Sequence, residues 1–256
     1  MAETDPKKEI WDSYWRDQSP EYAPHQILID KVIKHAGSKK DIIIELGAGL
    51  GVDAFELAAL GYNVVAVDMS RESLNLIRSR SNESGIELPV VLADALAMPF
   101  KQGSIDLIYH QGLMEHFKDP EPLLAASRPI LKSGGKTLID VPQTFTLYTL
   151  KKKWAMARGR WFAGWETQYT PAKLRHIIRK AGFKVVDFYG RDFDNKLFVR
   201  LSNIDTLGFG RFGRPIVPRF IREIAGAVWR ILVTAGISNY LTHCIGAVAI
   251  KHENSD

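Results

Sequence analysis

The sequence predicts an α/β fold in which a parallel sheet is covered by helices on both faces. Between residues 41 and 141, short apolar runs alternate with stretches of helical length. Strands that are buried on both faces are continuously apolar, and the alternation with helices is typical of parallel sheets. Strands are expected at 41–46, 63–68, 88–93, 104–109 and 136–141.

Helix-terminating signals separate these runs. Gly61 follows the apolar stretch 50–60 and is a usual helix stop, while Ser70 can cap a helix that carries Glu72 in its first turn. A further helix is expected at 120–131. Right-handed crossovers between the strands then give a Rossmann-like, doubly wound sheet.

The bulk composition is that of one large globular domain. The chain has 256 residues, of which 46% are hydrophobic and 25% charged, and its net charge of +5 weakly favours an anionic partner. The one cysteine, Cys244, excludes an intramolecular disulfide and a cysteine-ligated zinc cluster. Neither a signal-peptide core nor a membrane-spanning run is present in the sequence, so a cytoplasmic location is expected.

A glycine-rich turn follows the first expected strand, with Gly47, Gly49 and Gly51 at alternate positions. A phosphate loop requires a lysine and a hydroxyl residue after the glycines, but Val52 and Asp53 stand there. The dinucleotide pattern G-x-G-x-x-G/A would also place its third glycine or alanine at Val52. A nicotinamide oxidoreductase therefore fits poorly but stays open as an alternative, as does a tight turn without a ligand.

Acidic residues accompany this turn. Glu45 precedes the glycines, Asp68 ends the second strand and Asp94 ends the third. Asp68 lies close to the separation of about 20 residues at which an acid meets ribose hydroxyls. Ligands of such sheets bind beyond the carboxyl ends of the strands, so Gly47, Asp68, Asp94 and His110 should face one crevice.

Together with "GSIDLIYHQGLMEHF" and "LKSGGKTLIDVP", these residues resemble the class I S-adenosylmethionine-dependent methyltransferases. The resemblance is to the small-molecule branch that includes the ubiquinone and menaquinone biosynthesis type. It covers 41–141 well and extends through "YTPAKLRHIIRKAGFKVVDFYG". It implies a seven-stranded sheet that is mostly parallel, with an antiparallel last strand formed by 183–189 and 245–251.

The resemblance also implies a cofactor site for S-adenosylmethionine, with S-adenosylhomocysteine as product. Asp68 would bind the ribose hydroxyls, Asp94 would face the adenine amino group, and His110 and Gln111 would flank the methionine part. This ligand has no phosphate and carries two cationic groups, so the acids suit it. The full implied set is Glu45, Gly47, Ala48, Gly49, Gly51, Asp68, Met69, Asp94, Ala95, His110 and Gln111.

Four regions are expected along the chain. Residues 1–40 would form an N-terminal helical cap, and 41–190 with 244–256 the cofactor-binding domain. Within that domain, 143–169 is dense in aromatic residues and is interpreted as a lid over the substrate or as ordinary core. Residues 191–243 form an apolar, arginine-rich helical insert where the family has a short connection.

The catalytic residue is weakly defined by the sequence. His116, His110 and Tyr14 are candidates for assisting proton removal, although for His116 a structural hydrogen bond is the favoured role. A metal site is not expected, because no third strong ligand lies near the two histidines.

The expected acceptor is a small or lipid-like molecule, methylated on oxygen or carbon. A specific nucleic-acid partner is not expected, because "YHQG" at the end of strand four lacks the Asn/Asp-Pro-Pro-aromatic motif. Protein methylation and a non-catalytic cofactor-binding module stay open. Apolar residues at helical spacing in 211–235, mixed with arginines, indicate either a packed helix or peripheral membrane contact.

Overall fold

The computed structural model describes residues 6–16, 23–161, 163, 165–193 and 242–251. Within these residues, seven strands form one sheet in the order β3-β2-β1-β4-β5-β7-β6. The strands are β1 Ile43–Leu46, β2 Val64–Asp68, β3 Val90–Leu92, β4 Ile105–Gln111, β5 Leu131–Pro142, β6 Phe183–Phe193 and β7 Thr242–Lys251. The first five are parallel, and β7 pairs antiparallel with both β5 and β6. The predicted fold is therefore confirmed.

Helices cover both faces of this sheet. They are α1 Pro6–Arg16, α2 Gln26–His35, α3 Val52–Ala59, α4 Arg71–Ser84, α5 Glu121–Ile130, α6 Leu147–Ala157 and α7 Pro171–Lys180, with a short 3₁₀ helix at Met114–His116. Apolar side chains of α2, α3 and α4 pack on one face. Those of α5 and α7 pack on the other. Each face of the sheet thus has its own buried core, as a doubly wound fold requires.

Side-chain caps fix where two of these helices begin. Ser70 accepts the backbone N–H of Ser73 at 3.2 Å, and Thr170 accepts that of Lys173 at 3.1 Å. Such caps satisfy donors that the first helical turn leaves free. The start of α4 therefore lies directly after Asp68, which places that carboxylate beside the helix N-terminus.

One local prediction is wrong. The strand expected at 136–141 begins earlier, at Leu131, and runs through 132–135. Ile105 pairs with Leu131 and Leu107 pairs with Lys136, so β5 carries extra residues against β4. A bulge with Gly134 at φ +71° absorbs them.

A buried polar contact joins β5 to β6 across β7, which lies between them in the sheet. Asp140, Gly246 and Tyr189 lie side by side in the register of these strands. Tyr189 passes across Gly246 and donates its hydroxyl to Asp140 at 3.1 Å, and Arg191 donates to the same carboxylate. A Cβ at Gly246 would lie 2.1 Å from the Tyr189 ring, so only glycine leaves this path open.

Most of the predicted insert 191–243, and the whole of 211–235, lies outside the described residues. Of the predicted N-terminal cap, α1 and α2 are described. Asp12 accepts the Ser70 hydroxyl at 2.5 Å, and Arg16 pairs with Glu72 at 3.3 Å. Helix α1 is thereby tied to the beginning of α4.

Candidate functional site

A cavity of about 480 Å³ lies beyond the carboxyl ends of β1, β2 and β4. This volume is within the range of small-molecule sites, and the position is the one at which doubly wound sheets bind ligands. Its walls come from the glycine turn, helix α1, the 3₁₀ helix and the side chains of Lys152, Trp161 and Glu166. The cavity therefore joins regions that are far apart in the sequence.

The glycine turn forms the floor of the cavity. Gly47, Gly49 and Gly51 have φ values of +70°, +55° and +62°, which strongly favour glycine. Gly47 and Ala48 both donate their N–H to the carbonyl of Val67, at 2.8 and 3.1 Å. These bonds hold the turn against the end of β2, where Asp68 follows.

Asp68 connects the glycine turn to α4. Its Oδ2 accepts the Gly49 N–H at 2.8 Å, and its Oδ1 accepts the Ser70 N–H at 2.8 Å. Burial raises the pKa of this carboxyl, although the hydrogen bonds act in the opposite direction. Ser73 and Met69 contribute further hydrogen bonds to this carboxylate, which also lines the cavity.

Glu45 lies under the turn and also lines the cavity. Its Oε2 accepts the Ala54 N–H at 3.2 Å, at the start of α3. Burial, and then the nearby Asp53, raise the pKa of Glu45 well above its ordinary value. A cation bound beside it would favour the charged form.

Most of the other residues implied by the resemblance also line the cavity: Gly47, Ala48, Gly49, Asp68, Met69, Asp94, Ala95 and Gln111. Asp94 lies on the exposed side and accepts the Leu96 N–H at 2.9 Å through Oδ1. The structure brings these residues to one wall; their roles toward a ligand remain predictions.

Two predicted residues do not line the cavity. His110 shares a face of β4 with Ile108, because alternate strand residues point to opposite sides, and it is buried in the core instead. Neither of its ring nitrogens has a hydrogen-bond partner, and burial lowers its pKa to about 4. Gly51 packs against Ile77 of α4, which an added Cβ would approach to 3.0 Å. His110 is therefore removed from both the catalytic and the cofactor candidates.

Aromatic side chains of α1 form the roof. Trp11, Tyr14 and Trp15 all line the cavity and pack on one another, with ring centroids 4.8 to 6.3 Å apart. Trp15 lies directly over Gly49. Trp11 meets the His116 ring edge-on at 4.9 Å, so α1 contacts both the glycine turn and the 3₁₀ helix. Tyr14 and His116, two of the catalytic candidates, are thus at the cavity wall.

The far wall carries charged groups that are almost completely buried. Lys152 forms an ion pair with Glu166, whose other oxygen accepts the Trp161 indole N–H at 2.7 Å. Glu115 is 5% exposed and its Oε2 has no hydrogen-bond partner. Burial is the main cause that raises the pKa of Glu115 to about 8.

We expect this shift to make stability depend on pH. A Glu115 carboxyl is protonated in the folded state up to about pH 8, but only up to about pH 4.5 in the unfolded chain. The folded state binds more protons between these values, so stability falls as pH rises from 5 to 8, by up to about 1.4 kcal/mol per unit. Glu115→Gln should remove this slope in denaturant titrations at several pH values. An unchanged slope would show that Glu115 is ionised throughout.

Several cavity residues were missed by sequence reasoning. Trp11, Glu115, Lys152 and Glu166 reach the site only through packing between distant segments. The many aromatic residues of 143–169 indicated that this range could cover the substrate, but they did not identify which residues line the site.

Among the described residues, no group of three His, Cys, Asp or Glu side chains could hold a metal ion. In the same part of the chain, no helix has the length and apolar character needed to cross a membrane.

Comparison with known families gives a match to one described as a methyltransferase domain, over residues 44–139. Among curated proteins, the ubiquinone biosynthesis O-methyltransferase of Cereibacter sphaeroides is 28% identical over 160 residues, which are 59% of this chain and 64% of that protein. The enzyme of the same name from Nitrosococcus oceani is 26% identical over 77% of this chain and 89% of its own length.

Solved structures show the same fold. A methyltransferase from a complex with the Haloferax volcanii Trm112 activator superposes with a TM-score of 0.66 at 18% identity, covering 97% of this chain and 99% of that one. A SAM-dependent methyltransferase from Aquifex aeolicus gives a TM-score of 0.57 at 14% identity, covering 97% of this chain and 100% of the other.

Residues 44–139 of this chain match a methyltransferase domain, and the described residues have the α/β fold of solved methyltransferases. More particularly, the chain is similar to the ubiquinone biosynthesis O-methyltransferases.

Proposed function

We propose that this protein transfers a methyl group from S-adenosylmethionine to a hydroxyl oxygen of a small, largely apolar acceptor. The observation that carries the proposal is the joining, in one cavity, of the glycine turn with Asp68 and of a separate wall with Glu115 and His116. The names of the curated relatives support oxygen as the acceptor atom.

The turn fits the adenosyl part of such a ligand. Asp68 is an acceptor-only carboxylate at the cavity wall that can meet ribose hydroxyls, and Asp94 can accept from an adenine amino group. Gly49 has no side chain, so the Trp15 ring of the roof packs directly on the turn. Glu45 supplies negative charge near the cationic end of the ligand.

When bound, S-adenosylmethionine supplies an activated methyl group on a sulfonium sulfur. The protein then has to align the acceptor oxygen with that carbon and exclude water. The rings of Trp11, Tyr14 and Trp15 close the roof over the turn, which serves both tasks. A hydroxyl acceptor also has to lose its proton, and Glu115, His116 and Tyr14 are the cavity groups available for that.

We expect S-adenosylhomocysteine to raise the melting temperature through Asp68. A ligand at 100 times its dissociation constant stabilises the native state by about 2.7 kcal/mol. Asp68→Ala should lose most of this gain, because it removes the acceptors for the ribose. The matched control is Asp106→Ala, which also deletes a carboxylate that accepts a backbone N–H, here that of Ile42 at 2.9 Å, at the amino ends of β1 and β4 and so away from the cavity. Its ligand-induced shift should equal that of wild type.

NADH and NADPH titrated in parallel test the alternative of a nicotinamide oxidoreductase. Stabilisation by these ligands alone would contradict the proposal. Turnover is then followed as S-adenosylhomocysteine formation with phenolic and catecholic acceptors, and a methylated product found by mass spectrometry distinguishes an enzyme from a cofactor-binding module.

Peripheral membrane contact through 211–235 stays a prediction, since that range lies outside the described residues. Flotation with anionic liposomes at low salt tests it, and the absence of any co-flotation would contradict it.

A further inference from the structure

We propose that Glu115 is the group that accepts the hydroxyl proton of the methyl acceptor. The inference rests on the proposed O-methyl transfer and names the residue that this transfer would use.

The first support is that Glu115 is a buried carboxyl with an unused acceptor. It lines the cavity, and its Oε2 has no hydrogen-bond partner although almost no solvent reaches it. A buried polar atom without a hydrogen-bond partner costs about 1 to 3 kcal/mol of stability. A ligand that donates a hydrogen bond to this oxygen would explain why the protein carries it. The terminal torsion of a glutamate is soft, so either oxygen can face the cavity.

The backbone around Glu115 is held firmly. Its carbonyl accepts the Thr167 N–H at 2.8 Å, and the neighbouring Met114 carbonyl accepts the Tyr169 hydroxyl at 3.2 Å. Both donors belong to the segment that follows α6. The carboxyl therefore sits at a fixed point where the 3₁₀ helix and the 143–169 segment meet.

The surroundings of Glu115 suit a flat apolar acceptor. Trp11 and Trp161 line the same cavity, and most of its exposed wall is apolar. Aromatic side chains stack well on aromatic ligands. The charged neighbours Lys152 and Glu166 are already paired with each other, which leaves Glu115 as the acidic group suited to receive a hydroxyl proton on this wall.

His116 is the competing base, and it is the weaker choice. Its ring packs against Trp11, and burial lowers its pKa below the ordinary value of 6.5. A phenol has a pKa near 10, so a carboxyl with a pKa of about 8 is closer in basicity than such a histidine. The charged or titratable groups that face Glu115 are Glu166, Lys152, Asp140, Tyr169 and His116.

The reaction balances as follows. The hydroxyl proton moves to the Glu115 carboxylate while the oxygen uses an electron pair to bond the methyl carbon. The carbon–sulfur bond breaks and its electron pair stays on sulfur. Glu115 afterwards releases the proton to solvent, so no oxidant or reductant is needed.

The test uses the full chain with and without S-adenosylhomocysteine, and 4-nitrocatechol as probe, because the visible absorbance of this compound reports its ionisation. Wild type should bind the probe. Glu115→Gln, which keeps the shape of the side chain, should raise the dissociation constant at least about 10-fold, because a charge-assisted hydrogen bond is lost. Glu121→Gln, an exposed glutamate paired with Lys180, is the control and should bind like wild type.

Turnover gives the second measurement. In the wild type, kcat/KM should rise with pH as the Glu115 carboxyl ionises. We expect Glu115→Gln to abolish this rise, and to lower kcat by about 10²- to 10⁴-fold with a smaller change in KM. His116→Gln should keep that rise. Stabilisation by S-adenosylhomocysteine should be the same in wild type and Glu115→Gln.

Three results would overturn the inference: no probe binding to wild type, wild-type probe binding and turnover in Glu115→Gln, or loss of S-adenosylhomocysteine stabilisation in that variant. Failure of the proposed function looks different, because S-adenosylhomocysteine would then not stabilise the wild type at all.

Discussion

Gly49→Ala is expected to weaken cofactor binding strongly, while Gly85→Ala leaves it intact. Both glycines have positive φ, +55° and +68°, so an alanine costs about 1 to 2 kcal/mol of backbone strain at either site. At Gly49 the new Cβ would also lie 2.6 Å from the Trp15 ring, whereas nothing lies within 4 Å at Gly85. The difference between the two variants isolates the effect of the contact.

The Gly49 variant has two ways to relieve that contact, and both damage the site. Either α1 moves away and opens the roof, or the turn shifts and stretches the 2.8 Å bond from Gly49 to Asp68. We expect the dissociation constant of S-adenosylhomocysteine, measured by calorimetry, to rise at least about 10-fold. An affinity within twofold of that of Gly85→Ala would show that α1 does not cover the turn.

Lys152→Met is expected to be the most destabilising single change in the cavity wall. Removing one partner of a buried ion pair leaves the other charge uncompensated, which typically costs about 3 to 5 kcal/mol. The Glu166 carboxylate would stay buried and would still accept the hydrogen bond from Trp161, but it would lose its cationic partner. The free energy of unfolding from urea titrations and the hydrogen exchange of α6 amides measure this loss.

Lys180→Met provides the comparison, because Lys180 pairs with Glu121 on the surface. Exposed pairs contribute little after screening, so the stability of this variant should equal that of wild type. Restoring stability to Lys152→Met by adding Glu166→Gln would confirm that the uncompensated carboxylate is the cause. Equal, small losses in the two lysine variants would contradict the assigned burial of the pair.

Sequence reasoning located the residues whose positions follow from local patterns. The glycine turn and Asp68 were predictable because a strand, a turn with left-handed glycines and a second strand dictate their own positions. The prediction that His110 faces the crevice was wrong because of its position along strand β4. This residue is adjacent to Gln111 in the sequence, but the strand period of two turns one side chain to the cavity wall and the other to the core.

Glu115 and Lys152 could not have been assigned from sequence alone. Their environment depends on how the 143–169 segment folds against the 3₁₀ helix, which is a contact between regions without a shared periodic signal. The pattern showed that the segment is rich in aromatic and cationic residues. Only the structure shows that Lys152 is turned inward to Glu166 while Trp154 stays exposed.

The position of β7 has a consequence for biosynthesis. This strand lies between β5 and β6, although residues 194–241 separate it from β6 in the sequence. During translation β6 emerges early, yet the neighbour that satisfies its hydrogen bonds is made much later. Until then β5 and β6 each present an open edge, the kind of surface on which nascent chains aggregate. We expect ribosome-bound chains stalled before residue 242 to depend on chaperones, and chains released after 251 to close the sheet unaided.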